Sequence, residues 1–217
     1  MCPMSIEIPI FPLDNVVLFP KVQVPLYIFE PRYRQMTAAA LAGDGRIGMV
    51  VVQPEGRDVM GGDPPVFEIG CEGSIGHSEA NPDGTYQIIL QGISRFRILE
   101  ELPPEGERLY RAARVELIED EEAAPDALAP VRDRVLELMR GIAPDRASQL
   151  TPSTFAMLDD ATFVNAFCQS LDFTTVEKQQ LIEANGVRAR ADQLVGLMEF
   201  RIAEASGASS EGSETLH

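Results

Sequence analysis

The hydrophobic period of the chain changes once, near the acidic, alanine- and proline-rich stretch "IEDEEAAPDALAP" at residues 118–130. Before it, "SIEIPIF", "VQVPLYIF", "RIGMVVVQ", "PVFEIGCEGSIG", "TYQIILQG", "SRFRILEEL" and "YRAARVELIED" are short segments rich in Val, Ile, Phe and Tyr, punctuated by Gly, Pro, Asn and Asp. Such segments read as strands joined by turns. After it, apolar residues recur at helical spacing: Leu128, Val131, Val135, Leu138 and Ile142, then Phe163, Phe167 and Leu171, then Val187, Ala191, Leu194, Met198 and Ile202. The switch predicts an α+β chain with an antiparallel β barrel or sandwich at 1–119, a helical subdomain at 120–206 and a disordered tail at 207–217, where the sequence is small and polar.

Several strands do not alternate. "GMVVVQ" and "QIILQG" are continuous apolar runs, as expected where a closed barrel or an overlying helix covers both faces. "NPDGTY" predicts a hairpin, because Pro82 presets its own φ and Gly84 can take the left-handed conformation that reverses the chain. One helix interrupts the strands, starting at Pro31, carrying Tyr33, Met36, Ala40 and Leu41 along one side and ending at "AGDG". "TTVE" predicts another helix start, with Thr174 as N-cap and Glu177 as its reciprocal partner.

Charge narrows the function classes. The 34 acids outweigh 18 bases for a formal net charge of -16, a field that repels phosphate backbones and anionic membranes. Cys2, Cys71 and Cys168 are far apart and lack metal-ligand spacing, so neither a disulfide framework nor a zinc site is indicated. No apolar run reaches the roughly 18 residues needed to cross a bilayer, and "MCPMSIEIPI" lacks the features of a secretory signal. A cytoplasmic protein without membrane association, metal or other cofactor is expected.

In this sequence order, "IPIFPLDNVVLFPKVQVPLYIFEPRYRQM", "RIGMVVV", "VFEIGCEGSIGHSEANPDGTYQIILQGISRFRILE" and "YRAARVELIED" resemble the N-terminal substrate-binding domain of Lon-type ATP-dependent proteases across about residues 6–119. The helical remainder is similar to the helices that follow that domain, chiefly through periodicity and "EKQQLIE". The resemblance implies a PUA-like pseudobarrel of about six strands with one packed helix, followed by a helical bundle. Lys21 stands where the family usually has glycine, and Cys71 where threonine or a similar residue is common. No GxxxxGK[ST] phosphate loop occurs, and neither lysine, Lys21 or Lys178, lies in a motif resembling the Lon peptidase. The resemblance therefore implies a stand-alone, non-catalytic recognition module for unfolded or extended polypeptides or a dedicated protein partner, with self-association open.

Site residues follow from "LYIFEPRY" and its surroundings. Pro31 suits the first helical position and Glu30 the helix's positive end. Phe29 and Tyr33 are expected to pack inward, while Arg32 pairs with an acid and helps fix the helix to the barrel. A groove between barrel and helices, lined from Phe19, Leu26, Phe29, Glu30, Arg32, Tyr33 and Arg95, would take the polypeptide by apolar burial and strand-edge hydrogen bonds. Leu18, Phe19, Val22 and Leu26 are expected to form a partly exposed wall, because Pro20 and Pro25 interrupt strand pairing. Arg95 and Arg97 read either as an exposed basic face or as partners for Glu30 or an incoming carboxylate.

Three other function classes stay open. A PUA-like RNA-binding protein would need a local basic groove, and a small-molecule sensor would need a pocket beside "FEPRY". A cysteine hydrolase would need Cys71 and His77 together, although a buried inert thiol is the commoner case.

Overall fold

A computed structural model describes residues 5–59, 61–120, 127–142 and 157–211. Two compact units account for the chain: residues 1–120 with 165–183, and residues 121–164 with 184–217.

The first unit holds six strands: β1 (Ser5–Leu13), β2 (Gln23–Ile28), β3 (Arg46–Val51), β4 (Ile69–Ala80), β5 (Tyr86–Leu102) and β6 (Ala112–Ile118). Their order is β2-β5-β4-β3-β1-β6, with β6 returning to pair with β5. Five strands thus close a ring, and β2 attaches outside it to the first half of β5. The unbroken run of β3 is covered on both faces, with Val50 in the barrel centre and Met49 and Val51 beside Val17, Leu18 and Ile182, whereas "QIILQG" is covered only in part, since Ile89 is half-buried. The barrel centre includes Ile8, Ile10, Val50, Phe96, Ala113 and Val115. The expected antiparallel pattern holds except at β1–β3, which is parallel. The helix between β2 and β3 provides the crossover that a parallel neighbour requires.

That helix, α1 (Pro31–Ala42), begins with proline in its first turn, where a missing N–H is harmless. It buries Tyr33, Met36, Thr37 and Ala40, whereas Leu41, read as part of the same side, is exposed. It ends where Gly45, at φ 75°, donates its N–H to the Ala40 carbonyl. The β4–β5 hairpin turns as expected with Gly84 at φ 79°. Asp83 Oδ1 accepts from the Thr85 N–H at 3.0 Å and hydroxyl at 2.7 Å, which holds its carboxyl below the usual range.

The helical half follows its predicted periodicity in α2 (Ala129–Ile142), α3 (Asp160–Ser170), α4 (Thr175–Glu183) and α5 (Gly186–Glu211). At the α4 start the Thr174 N–H donates to Glu177 Oε2 at 2.7 Å, and the Glu177 N–H donates to Thr174 Oγ1 at 3.2 Å. Within the second unit Arg134 bridges α2 to Glu199 of α5 at 2.6 Å, and Arg132 pairs with Asp160 at 2.8 Å while lying 4.5 Å from the Phe163 ring centroid. Among the described residues no helix is long and apolar enough to cross a membrane.

Two boundaries differ from the sequence reading. The helices do not form one subdomain, since residues 165–183 group with the barrel. The last helix runs to Glu211, five residues into the segment read as tail. Its small residues carry no helix-breaking proline, and Ser206 Oγ donates back to the Ile202 carbonyl at 2.9 Å. Residues 212–217 of that tail lie outside the described residues.

Candidate functional site

β2 explains the site through its two faces. Val24 and Ile28 are buried and Leu26 is half-buried, whereas Gln23, Pro25 and Tyr27 are exposed, the alternation dictated by a pleat. Phe29 follows on the exposed side. Tyr27 and Phe29 are 55% and 60% accessible, and their rings stack with centroids 6.1 Å apart. The Tyr27 hydroxyl donates to Thr85 Oγ1 at 3.3 Å, tying the ring to the hairpin tip.

Tyr27 of this pair lines a concavity of about 480 Å³ together with Pro25, Leu26, His77, Glu79, Gln87, Ile88 and Ile89. Strand register builds it. Pro25, Ile89 and His77 form one cross-strand row, and Tyr27, Gln87 and Glu79 form the next. Side chains in such rows project from the same face.

β2 is the end strand of the sheet order. Gly92 donates its N–H to the Val22 carbonyl at 2.8 Å. Antiparallel alternation then turns the backbone of Val24, Leu26 and Ile28 towards β5 and that of Gln23, Pro25 and Tyr27 towards the open edge. Pro25 therefore sits where its missing N–H breaks no ladder bond.

Within "FEPRY", Glu30, Arg32 and Tyr33 are engaged with one another and with neighbouring backbone. Glu30 makes no side-chain cap bond to the helix. Instead its carboxylate takes Arg32 Nε at 3.0 Å, and Arg32 Nη1 also donates to the Gly62 carbonyl at 3.2 Å. The guanidinium lies 4.5 Å from the Tyr33 ring centroid. Tyr33 is buried, 4.4 Å from the Phe11 ring centroid, and donates to the Pro12 carbonyl at 3.4 Å. Burial pushes its hydroxyl above the usual tyrosine range, partly offset by Arg32. Phe29 reverses the expectation that it packs inward: its position in the β2 alternation sends it outward.

The proposed exposed wall is also corrected. Leu18 and Phe19 are 1% and 0% accessible, and only Val22 and Leu26 are half-buried. Pro25 does not interrupt pairing, since it stays in register with Ile89, and at Pro20, before β2, Asn165 Nδ2 donates to the carbonyl at 3.0 Å, so the irregular backbone is satisfied. The seam between barrel and α4 is packed rather than open. Val17, Leu18, Met49, Ile69 and Ile182 are buried there, and Gln179 Nε2 donates to the Ile69 carbonyl at 3.0 Å.

Arg95 belongs to that packing. It is buried, with Nη2 at 2.6 Å from Asp120 and Nη1 donating to the Ile182 carbonyl at 3.0 Å, so it neither forms an exposed basic face nor meets Glu30. Arg97 is half exposed and lies 3.5 Å from Glu68. Cys71 is buried and donates to the Glu72 carbonyl at 3.4 Å, while His77 is exposed six positions further along β4. At about 3.3 Å per strand residue the two stand roughly 20 Å apart, too far for a nucleophile and its base.

Leu26, Phe29, Glu30, Arg32 and Tyr33 thus fall together at the β2–α1 junction, while Phe19 and Arg95 lie in packed interiors. Tyr27, Glu79, Gln87 and Ile89 were not singled out from sequence, and His77 was considered only as a base for Cys71. The signal for Tyr27 was the period-two alternation of "QVPLYIF", which places Pro25, Tyr27 and Phe29 on one face.

A family model described as the ATP-dependent protease La (LON) substrate-binding domain matches residues 7–199. Lon protease of Escherichia coli strain K12 is 27% identical over 204 residues, covering 91% of this chain and 25% of that protein. Lon protease of Flavobacterium johnsoniae is 29% identical over 206 residues, covering 92% of this chain and 24% of that protein. The chain therefore spans about a quarter of the length of these relatives. The N-terminal domain of Mycobacterium avium complex Lon protease superposes with a TM-score of 0.65 at 17% identity, over 89% of this chain and 98% of that one. A Lon N-terminal domain protein from Xanthomonas campestris gives 0.63 at 20% identity, over 88% and 98%. The fold and the extent of the family match agree: this chain belongs to the family of the ATP-dependent protease La (LON) substrate-binding domain.

Proposed function

We propose that this chain is a non-catalytic, cytoplasmic module that binds unfolded or extended polypeptide segments on the outer face of β2, β5 and β4. The observation that carries this role is the exposed, stacked Tyr27–Phe29 pair beside the concavity. Two large aromatic rings left in water are a cost to an isolated domain and an anchor to a binding one, because they bring large apolar area with little conformational entropy to lose.

Pro25, Ile89 and the aliphatic side of Leu26 extend the apolar surface, and the open edge of β2 offers carbonyls to a passing main chain. Such contacts are tolerant of sequence. Family membership supports the same role, since the relatives' matching segment is a substrate-binding domain. Catalysis is not part of the proposal: Cys71 and Cys168 are buried thiols, and the family match is to the recognition domain.

Fluorescence anisotropy of a labelled, permanently unfolded polypeptide tests the role, with a labelled RNA of similar size alongside. The wild type is expected to bind the polypeptide saturably at moderate salt, and the Tyr27→Ser, Phe29→Ser double variant about tenfold more weakly. Because both side chains are largely exposed, its urea midpoint should barely move. Equal affinity for the double variant would refute the site, and binding of RNA alone would refute the substrate class.

A further inference from the structure

We propose that the concavity is a subsite for a basic side chain, so that the bound segments are cationic as well as apolar. This rests on the polypeptide-binding role above and adds a specificity to it. Tyr27, Gln87 and Glu79 occupy one cross-strand row on adjacent strands. Two strand spacings set the backbones of Tyr27 and Glu79 about 10 Å apart. The row therefore offers aromatic π density at one end, an amide in the middle and a carboxylate at the other. A lysine or arginine laid along it places its aliphatic stem on the apolar floor of Ile89 and Pro25 and its charge against Glu79. Near the aromatic end a guanidinium gains cation–π attraction.

The charges at the concavity favour that occupant over its alternatives. Among the described residues its one acid is Glu79, accompanied by exposed His77 and neutral Gln87, with no lysine or arginine in the lining. Glu79 forms no ion pair with a lysine or arginine among the described residues, whereas Glu30, a few residues beyond Tyr27, already holds Arg32 at 3.0 Å. The net charge of -16 adds a long-range field that draws cationic segments and opposes both acidic segments and a second copy of this chain. His77 lies in the neighbouring row, opposite Pro25 across Ile89, and leaves the Tyr27–Glu79 row open.

Three unfolded peptides decide the matter, identical in their Leu and Phe content and differing only in lysine, glutamine or glutamate at the intervening positions. Each is titrated by anisotropy against the full chain, Glu79→Gln, Glu79→Lys and, as a charge control, Glu68→Gln beside Arg97 on the far half of β5. The wild type is expected to prefer the lysine peptide over the glutamine peptide by about fivefold at low salt. Glu79→Gln should remove most of that preference, Glu79→Lys should turn it towards the glutamate peptide, and Glu68→Gln should preserve it. Equal binding of all three peptides, or equal loss with Glu68→Gln, would overturn the subsite while leaving polypeptide binding intact. Failure of every peptide to bind would overturn the polypeptide role itself.

Discussion

β5 is one strand with two outer faces. Along its first half, Gln87 and Ile89 look out over the concavity between β2 and β4. Along its second half, Arg95 is sealed by Asp120 and by the carbonyl of Ile182 at the end of α4. Both halves bury a similar inner row, with Ile88 and Leu90 in one and Phe96 in the other. What separates them is the cover: residues 165–183 join the barrel unit over the second half and are absent from the lining of the first. Among the described residues, the first half has no such cover over Gln87 and Ile89.

The largest effect is expected in the covered half. Arg95→Ala removes a buried guanidinium together with its ion pair to Asp120 and its hydrogen bond to the Ile182 carbonyl, at a cost of about 3 kcal/mol in urea unfolding. Under conditions where it is folded, the variant should still bind polypeptide. A loss below 1 kcal/mol would mean that α4 is not pinned through this residue.

Gly92 marks the place where the two halves meet, and its substitution comes next. A Cβ there would lie 2.1 Å from the Phe19 carbonyl oxygen, and main chain cannot swing aside like a flexible side chain. Gly92 also exchanges hydrogen bonds with Lys21 and Val22 at the start of β2. Gly92→Ala should cost about 2 kcal/mol by overpacking and loosen β2, visible as faster amide exchange at Leu26 and Ile28. Unchanged exchange in β2 would show that its attachment does not depend on this close approach.

The smallest effect belongs to Lys21, which holds φ at 64° and is the one non-glycine with positive φ among the described residues. A side chain pays about 1 kcal/mol in that region, and Lys21→Gly relieves it while making the unfolded chain looser. A net gain below about 1 kcal/mol is expected in thermal unfolding. A clear loss would mean that the Lys21 side chain contributes contacts worth more than the strain.

Much of this was legible in the sequence because it is local. The capping box at Thr174, the hairpin at Gly84, proline at the start of α1 and the helical periods of the second half each depend on residues within a turn or two. Lys21 was set apart only through the resemblance, as standing where the family usually has glycine, and its φ of 64° is a conformation that glycine takes more readily. Cover was not legible. "VVLFP" at residues 16–20 and "PLYIF" at residues 25–29 carry the same mixture of proline and large apolar residues, yet Phe19 is buried and Phe29 is in water. Asn165, some 145 positions away in sequence, lies over the first. Arg95 was misplaced for the same reason, because nothing near "SRFRIL" announces the α4 carbonyl that receives it.

The central claim is that an incoming polypeptide uses the open half of β5 and leaves the covered half untouched. Backbone amide shifts recorded as an unfolded, lysine-containing peptide is titrated into the isotopically labelled chain test it most directly. The account predicts perturbations concentrated at residues 23–29, 77–79 and 87–89, with little change at Arg95, Asp120 or Ile182. Perturbations centred on Arg95 and α4, with Tyr27 and Phe29 unmoved, would contradict it.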